Sequence, residues 1–448
     1  MRNDKFTNNM ILLHQLWNQR RQNLWIFIEL LIAGFFLWMV IDPIYVLTAN
    51  RLIPQGGDTR GMYVLQLGQY DNSFAQYDAA QDSAGQMSRH YQSIVRTVRA
   101  CPEVEAVSIA AFSSFPNGMG WNGMQLFNAD TVMVHVQQYR FVSAEGSDLP
   151  LTYGMRDVRT GERIQLPADF AQRDMVAISE RTALDLFGTA DAAGRTVYFD
   201  SDHQQPHEVA AVFHNYKHYT SEQPYPLMVK ADADVMEIPS FMGLMYPIVF
   251  RLKDGVDPDA FEARFQEEVA PHLSQGNFFY DGMQTFAEYS RRQALSSGIT
   301  NKLRLQYSLG GFALLCIFLG MAGTFWIRAN ARREEIGIRR SMGASVGRIT
   351  QQFLAEGAVL VTVAYALALL VVVNYVSVAG FYEGIIVGHV LPQDFVHDPA
   401  YAQNRPVPHF LWVTALTYAV LLLTALTGTW IPVQRAARTL PVEALHEE

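Results

Sequence analysis

Four histidines stand in two pairs whose spacing could bind a metal ion. His203 and His207 are four residues apart, as are His214 and His218. On a helix, that spacing would bring both rings of a pair to one face, where a zinc ion takes imidazole ligands. A proline inside the first pair and the strand-like run 208–213 argue against a helix. We therefore interpret these residues as surface histidines and predict no metal site.

Other residue patterns that perform chemistry are missing from the sequence. It contains no Gly-x-x-x-x-Gly-Lys-Ser/Thr loop, the backbone cradle that holds nucleotide phosphates. No Ser/His/Asp or Cys/His arrangement stands out. Cys101 lies in a polar block and Cys316 in an apolar run, so no disulfide between them is expected. We predict a chain that is not an enzyme and that holds no cofactor of its own.

The most informative residues form a charged segment, 332–345, between two apolar runs. Residues 305–327 contain no charge, and neither do residues 357–373. Each run is long enough to cross, or nearly cross, a hydrocarbon core of about 30 Å at about 1.5 Å per helical residue. The segment between them is therefore predicted to lie outside the bilayer, either as an ordinary basic loop or as a short helix that binds a partner.

The order of residues within this segment favours the helix. Glu335 and Arg339 stand at i and i+4 in the favourable orientation, and Ile338 and Met342 form an apolar pair at the same spacing. Gly343 stands where a helix would end, and a serine two residues later could cap the next one. The pattern predicts an amphipathic helix with a mixed apolar and basic face.

Four transmembrane helices are predicted, at about 24–46, 305–327, 353–378 and 410–431. The first follows a basic N-terminal segment and contains Glu29, which faces either a partner helix or the membrane interface. A cleavable signal peptide is the alternative for this stretch. It is disfavoured because no small-x-small cleavage site follows, and because Trp38, Asp42 and Pro43 are bulky or helix-ending residues.

The short loops differ in positive charge, and that difference predicts the orientation. The N-terminal segment has four Lys and Arg residues, segment 328–348 has six, the tail from Pro432 has two, and loop 380–409 has only Arg405. Positively charged loops stay in the cytoplasm. Both termini and the charged segment are therefore predicted to be cytoplasmic, and the large polar block lies on the other side.

That polar block, residues 48–304, repeats one order of elements. It contains 21 Lys and Arg against 31 Asp and Glu, an acidic balance that argues against nucleic acid as a partner. Strand-like, helical and strand-like stretches follow one another at 61–111 and again at 246–283. Two βαβ units predict a split ferredoxin-like lobe, with residues from about 112 to 245 inserted as an α/β subdomain.

Three further patterns refine this outline. In the insertion, a strand at 175–180 leads into a helix at 181–187, and residues 194–199 and 208–213 form a predicted hairpin. Residues 284–304 are predicted to be a helix that runs into the second span with a break signal only at Gly298. This helix is interpreted either as a rigid stalk that carries motion or as a simple connector.

A stripe of small residues runs along the second span. Cys316, Gly320 and Thr324 repeat every fourth residue and therefore lie on one helix face. Small side chains let two helices approach closely. The stripe is predicted either to form a contact between two subunits or to pack within one subunit, and the sequence favours neither.

The charged segment resembles the coupling helix of the MacB/FtsX-type ABC transporter permeases. The matching run extends from Glu335 to Arg340 and continues at Gly343, Ala344 and Ser345. In that family the segment docks into a partner ATPase. The resemblance assigns the contact to nine residues: Glu335, Ile336, Gly337, Ile338, Arg339, Arg340, Met342, Gly343 and Ala344.

The resemblance extends over almost the whole chain. The insertion is similar to the extracytoplasmic domain of MacB-type permeases, and residues 432–445 resemble the family's C-terminal signature. This signature departs from the family at Leu440, where a small polar or acidic residue is usual, and at His446, where an arginine is usual. No ATPase contact is therefore assigned to the last few residues.

The resemblance implies an α-helical membrane protein with four transmembrane helices and an α+β extracytoplasmic domain. Its predicted parts are residues 1–47 with the first span, 48–304 outside the cytoplasm, and 305–448 with three spans and a coupling helix at about 332–345. The implied setting is the bacterial inner membrane, in a type VII assembly.

The resemblance also implies partners and a function. The partners are an ABC ATPase that holds ATP and Mg²⁺, a second permease subunit (identical or related), membrane lipid and a periplasmic adaptor. ATP hydrolysis would move the outer domain, for export of a small molecule or peptide. The alternatives are an FtsX-like activator of an envelope hydrolase, a lipoprotein-release permease, and a membrane receptor without an ATPase.

Overall fold

The computed structural model describes residues 20–110, 115–118, 123–232, 247–383 and 398–438. The chain divides into two compact units. The membrane unit comprises residues 1–49, 301–384 and 397–448, and the outer unit comprises residues 50–300 and 385–396. Several predicted features fall outside the described residues: the basic N-terminal segment up to residue 19, both ends of the predicted insertion, and the C-terminal signature beyond Arg438.

The α-helices are α1 (Arg20–Leu52), α2 (Ala84–Arg99), α3 (Leu149–Thr152), α4 (Glu180–Phe187), α5 (Pro258–Arg264), α6 (Phe286–Ser296), α7 (Ile299–Ala331), α8 (Arg333–Ser341), α9 (Val346–Ala379) and α10 (Pro406–Arg438). The strands are β1 (Met62–Gln69), β2 (Val104–Ile109), β3 (Gly123–Phe127), β4 (Met133–Val142), β5 (Val176–Ser179), β6 (Thr196–Tyr198), β7 (Pro206–Phe213), β8 (Leu227–Asp232), β9 (Ile248–Leu252) and β10 (Phe278–Thr285).

Four helices of the membrane unit, α1, α7, α9 and α10, are long and apolar enough to cross a membrane. They confirm the four predicted spans. Each has 33 or 34 residues, so each is about 50 Å long and extends beyond a hydrocarbon core of about 30 Å. Their shared core contains Trp38, Phe325, Tyr365 and Leu421, and also Ile336 from the short helix α8.

Helix α1 continues past the residues that were predicted to end it. Pro43 lies inside the helix, which ends only at Leu52. A proline removes one backbone hydrogen bond, and helices in membranes tolerate this loss when their neighbours satisfy the freed groups. Asp42 is buried and satisfied, because its carboxylate contacts His409 on α10 and the backbone N–H of Tyr382. The interpretation of Asp42 and Pro43 as helix-ending residues was therefore wrong.

The outer unit contains the predicted ferredoxin-like lobe. Its sheet has the strand order β10-β1-β9-β2, and the pairs β1–β10, β1–β9 and β2–β9 are all antiparallel. Helix α2 begins after the cap Ser83 and buries Ile94, Val95 and Val98 against this sheet. In the second unit, α5 ends at Arg264 and passes into a π-helical turn and a 3₁₀ turn. The split βαβ prediction is confirmed.

The insertion between β2 and β9 folds as a closed barrel with the strand order β3-β4-β8-β5-β7-β6. The predicted strand-to-helix turn is present as β5 and α4, with Ser179 as the N-terminal cap. Gly188 ends α4 in the left-handed conformation, with a φ of +69°. The predicted hairpin is confirmed by the antiparallel pairing of β6 and β7. Closure of the barrel was not predicted, because it requires an antiparallel β3–β6 pair, and parallel β4–β8 and β5–β7 pairs, between distant parts of the chain.

The predicted helix 284–304 is two helices. Strand β10 extends to Thr285, whose side chain caps α6 by accepting a hydrogen bond from the Glu288 N–H. Helix α6 ends at Ser296, and α7 begins at Ile299. Gly298 between them has a φ of +78°, a conformation that favours glycine. The break signal at Gly298 is confirmed, and the chain has no single continuous stalk here.

A buried lysine holds the last turn of α1, which belongs to the outer unit. The Lys217 ammonium donates to the carbonyl oxygens of Asn50 at 3.0 Å, Ile53 at 2.8 Å and Thr220 at 3.0 Å. The Asn50 side chain donates in turn to the Ser221 carbonyl at 3.1 Å. The last carbonyls of a helix have no partner within the helix and carry partial negative charge. Lys217 therefore stabilises the end of α1 and fastens it to the loop before β8.

Lys217→Met should lower the free energy of unfolding by about 3 kcal/mol at pH 7, because it removes three hydrogen bonds that a buried ammonium donates to backbone carbonyls. Burial lowers the pKa of Lys217 from 10.5 to about 8. As the pH rises, Lys217 therefore loses its proton at a lower pH in the folded chain than in the unfolded chain. The stabilisation from Lys217 should therefore increase between about pH 8 and pH 10, by on the order of 2 kcal/mol.

Thermal unfolding of the full chain in detergent, at pH 7.0 and 9.5 (on the order of one unit below and above that pKa), tests both statements. The matched control is Lys253→Met, which removes an exposed lysine that donates to the single carbonyl of Pro102. An advantage of wild type over Lys217→Met that shrinks at the higher pH would contradict the pH dependence.

Candidate functional site

The charged segment folds as the short helix α8, directly after the second span. Helix α7 ends at Ala331 and α8 begins at Arg333, so Arg332 alone separates them. No side chain caps the start of α8. The first turn contains Glu334 and Glu335, and the last contains Arg339 and Arg340. These charges complement the helix dipole at both ends.

The end of α8 matches the sequence-based prediction. Gly343 has a φ of +92°, which lets the chain leave the helix without the strain that a side chain would cause. Ser345 caps α9, because its hydroxyl accepts a hydrogen bond from the Arg348 N–H at 3.3 Å. Both the stop at Gly343 and the cap at Ser345 are confirmed.

The residues assigned to the ATPase contact divide between two faces of α8. Ile338 and Met342 are exposed, at 50% and 76% of their full accessibility. Ile336 is only 4% exposed and belongs to the core of the membrane unit, and Gly337 is buried beside it. Ala344 is partly buried against the same core. The buried residues position α8, and the exposed pair is free to contact another protein.

The arginines of α8 also differ in their contacts. Arg339 forms an ion pair with Glu335 one turn earlier, as predicted from the spacing, and donates to the Gln352 side chain on α9 at 2.7 Å. Arg340 is half-buried and has no ion pair within the described part of the chain. Arg339 is therefore engaged inside the subunit, whereas Arg340 remains available to a partner.

The small-residue stripe on α7 is partly occupied by the same subunit. Cys316 is exposed, whereas Gly320 and Thr324 are half-buried. A Cβ added at Gly320 would lie 2.2 Å from the Glu29 carboxylate on α1. Gly320 therefore serves close packing between α1 and α7, and Glu29 lies against this helix. A subunit contact at Cys316 remains a prediction.

Sequence reasoning missed a buried ion pair at the base of α8. The Glu356 side chain on α9 is 1% exposed, and its two oxygens lie 3.1 and 3.4 Å from Arg332 Nη1. The Arg332 guanidinium also lies over the Phe353 ring, 5.5 Å from its centre. The available signal was a lone carboxylate at the edge of an apolar run, because ionisable residues in spans usually have a partner.

A second missed cluster lies near the other ends of the spans. His409 Nε2 is 2.6 Å from Asp42 Oδ1, and His409 Nδ1 is 2.7 Å from the Gln403 carbonyl oxygen. Asp42 Oδ2 accepts from the Tyr382 N–H at 3.0 Å. The His409 ring also stacks on Phe381, with centroids 4.4 Å apart. This cluster joins α1, the residues after α9, and α10.

The four histidines of the predicted metal spacing do not converge. His207 and His218 are buried, whereas His203 and His214 are partly exposed. His218 contacts Gln137, Tyr139 and the Gly118 carbonyl. The interpretation of all four as surface histidines was wrong for the two buried ones, which face neighbouring strands and loops. Within the described ranges no cluster of metal-binding side chains occurs.

Two family models match the chain, and together they cover most of it. Residues 46–268 match the MacB-like periplasmic core domain, and residues 307–441 match the FtsX-like permease C-terminal domain. The second match includes α8 and its flanking spans. The chain belongs to the MacB/FtsX-type permease family. Members of this family are permease components of ABC transporters. The chain is accordingly a multi-pass inner-membrane protein.

Several curated relatives share the name macrolide export ATP-binding/permease protein MacB. One from Salmonella choleraesuis (strain SC-B67) is 27% identical over 203 residues, which are 45% of this chain and 27% of the relative. One from Bordetella avium (strain 197N) is 23% identical over 326 residues, which are 69% of this chain and 44% of the relative. This permease therefore matches less than half the length of either relative.

Solved structures of related outer domains also match. The periplasmic region of MacB from Actinobacillus actinomycetemcomitans is 14% identical, covers 54% of this chain and 96% of its own, and has a TM-score of 0.30. The extracellular domain of the ABC-type transporter YknZ from Gram-positive bacteria is 13% identical, covers 49% of this chain and all of its own, and has a TM-score of 0.28.

Proposed function

We propose that this permease couples ATP hydrolysis by a separate ATPase subunit to motion of its outer unit, for export of a small molecule or peptide. The match to the FtsX-like permease C-terminal model supports a permease component that depends on an ATPase for ATP hydrolysis. The names of its relatives combine an ATP-binding part with a permease part. The matched relatives are macrolide exporters by name, which favours export over the other readings.

The observation that carries the proposal is the exposed apolar pair on α8. Ile338 lies on α8 and Met342 caps its C-terminal end, and the opposite side of this helix is fixed in the membrane unit by Ile336. An exposed apolar pair on a seated helix suits a groove on a partner, in the manner of helix-in-groove recognition. The test is whether an ABC ATPase co-purifies with the chain in detergent and whether this capture depends on the exposed side of α8.

The proposal places α8 and both termini in the cytoplasm. In a variant with Cys316→Ser, a cysteine at the exposed position Ala400 should react with an impermeant thiol reagent applied to spheroplasts. A cysteine at Ser341 should react only after the membrane is permeabilised. This expectation follows from the charge of the short loops. Labelling of Ser341→Cys in intact spheroplasts would contradict the orientation and the coupling role of α8 together.

The proposal also includes two permease subunits in contact along α7. Cys316 is an exposed thiol on the small-residue face, and Cys101 is buried in the outer unit. Mild oxidation in membranes should therefore link most chains through Cys316 into a dimer on a non-reducing gel, because a disulfide forms only between closely placed Cβ atoms.

Two variants control this cross-linking. Cys316→Ser should give no dimer band, and Val371→Cys in that background tests an exposed position on α9 instead. Equal cross-linking at Val371→Cys would show random collision rather than a specific contact. Failure of Cys316 to cross-link would leave the stripe to packing within one subunit.

A further inference from the structure

Glu356 is the most deeply buried carboxylate of the described membrane unit, at 1% exposure. It lies in the third turn of α9, and its neighbour Gly357 marks a tight helix crossing. A Cβ at Gly357 would lie 3.2 Å from Thr429 Oγ1 on α10 and 3.5 Å from Phe325 on α7. A carboxylate at such a crossing is expensive to desolvate unless it is paired. Its partner is Arg332 of the link between α7 and α8.

A second contact lies one turn earlier on the same face of α9. Gln352 stands at i−4 from Glu356, and its Oε1 accepts from Arg339 Nη1 at 2.7 Å. Arg332 precedes the first residue of α8, and Arg339 lies near its last. Two side chains of α9 therefore hold the two ends of α8. Between these two contacts, Ile336 is buried in the core that α9 shares.

These contacts determine whether a force on α8 is transmitted to α9. The backbone between α7 and α8 has one non-helical residue, Arg332, with φ −104° and ψ 17°. A one-residue link can bend as a hinge. A force on an α8 that had no other contacts would therefore bend this link and would not move the neighbouring span. With both ends bound to α9, a load on α8 is passed to the span that follows it.

We propose that Glu356 is a positioning residue that fixes α8 to α9, so that displacement of α8 moves this span. The proposal rests on the proposed function for the source of the load, namely the partner ATPase. The fixed position of α8 itself does not depend on that function. The two parts can therefore be tested separately.

The first experiment measures the motion of α8 in the full chain without any ATPase. A nitroxide is attached to Met342→Cys, an exposed site at the C-terminal end of α8, in a background with Cys101→Ala and Cys316→Ser. In lipid nanodiscs, Glu356→Gln should shorten the rotational correlation time of the label at least twofold. An unchanged spectrum would overturn the proposal.

A matched pair of neighbours guards against general disruption of the fold. Gln352→Ala removes the second contact and leaves the Glu356 ion pair intact, so it should increase label mobility by a smaller factor. Gln351→Ala changes the adjacent exposed residue and should leave the spectrum unchanged. If Gln351→Ala mobilises the label as much as Gln352→Ala does, the effect is not specific, and the proposal is wrong.

The second experiment adds the ATPase and separates binding from transmission. Glu356→Gln leaves Ile338 and Met342 in place, so ATPase capture should stay within about threefold of wild type (under 1 kcal/mol). The ATP-dependent change in a nitroxide spectrum at Val371→Cys on α9 should be lost. A retained change at this site would overturn the transmission role. If no ABC ATPase is captured even by wild type, the proposed function fails, while the first experiment still decides whether Glu356 positions α8.

Discussion

Ile338→Asp should abolish co-purification of the ATPase while the permease still inserts and folds. The Ile338 side chain is half exposed, so it is available to fill a groove on the partner. Burying an aliphatic side chain of this size contributes on the order of 1.5–3 kcal/mol, and a carboxylate placed in the same groove adds a desolvation penalty. A loss of about 3 kcal/mol or more weakens binding by more than about 100-fold.

Substitution of the charged residue Arg340 should weaken ATPase binding less than Ile338→Asp does. Arg340→Ala removes a half-buried cation without an ion pair in the described residues. An exposed ion pair with the ATPase would contribute less than about 1 kcal/mol, so capture should fall by less than about tenfold. Capture is measured by pulling down a tagged ATPase from detergent extracts and quantifying the permease on the beads.

Ile336→Asp is the matched control on the buried side of the same helix. Ile336 is 4% exposed in the core of the membrane unit, so a carboxylate there should lower the amount of folded permease itself. The two isoleucines are two residues apart, yet the variants should behave differently. Ile338→Asp should fold but fail to bind the ATPase, whereas Ile336→Asp should fail to fold. Normal ATPase capture and normal ATP-dependent function in Ile338→Asp would show that α8 is not the coupling element.

The sequence was sufficient to predict those elements whose signals are local. The four spans follow from uninterrupted apolar runs, and α8 follows from the i, i+4 pairs and from Gly343 and Ser345. The split ferredoxin-like lobe follows from a strand, helix and strand order that occurs twice. In each case, neighbouring residues contain the information.

The features that were missed depend on contacts between distant residues. Periodicity cannot distinguish Ile336 from Ile338 on a helix this short, because the buried side is set by α9 and the other spans. The barrel closes through the β3–β6 pair and contains two parallel pairs, and no local pattern encodes any of them. The end of α1 was misjudged because Asp42 finds its partner 367 positions away on α10.

Asp42→Ala should destabilise the membrane unit by about 3–5 kcal/mol, the range expected when one partner of a buried polar pair is removed. The side chains of Asp42 and His409 are 6% and 1% exposed, so solvent cannot replace the lost contact. The substitution leaves His409 Nε2 and the Tyr382 N–H without an acceptor within a crowded aromatic cluster. Three segments of the membrane unit lose their common hydrogen-bonded centre at once.

Asp42→Asn separates the loss of charge from the loss of the contact. The amide keeps the shape and loses the charge: its oxygen can accept from the Tyr382 N–H, and its NH₂ group can donate to an unprotonated His409 Nε2. We expect a destabilisation about half as large. Asp58→Ala is an outer-unit control, because that carboxylate pairs with an arginine that is 91% exposed and should contribute less than about 1 kcal/mol.

Thermal unfolding in mild detergent measures all three variants. The order of stability should be wild type, close to Asp58→Ala, then Asp42→Asn, then Asp42→Ala. If Asp42→Ala unfolds at the temperature of wild type, the Asp42–His409 contact does not hold the spans together. The continuation of α1 past Pro43 would then have to depend on the apolar packing around Trp38 and Leu47 alone.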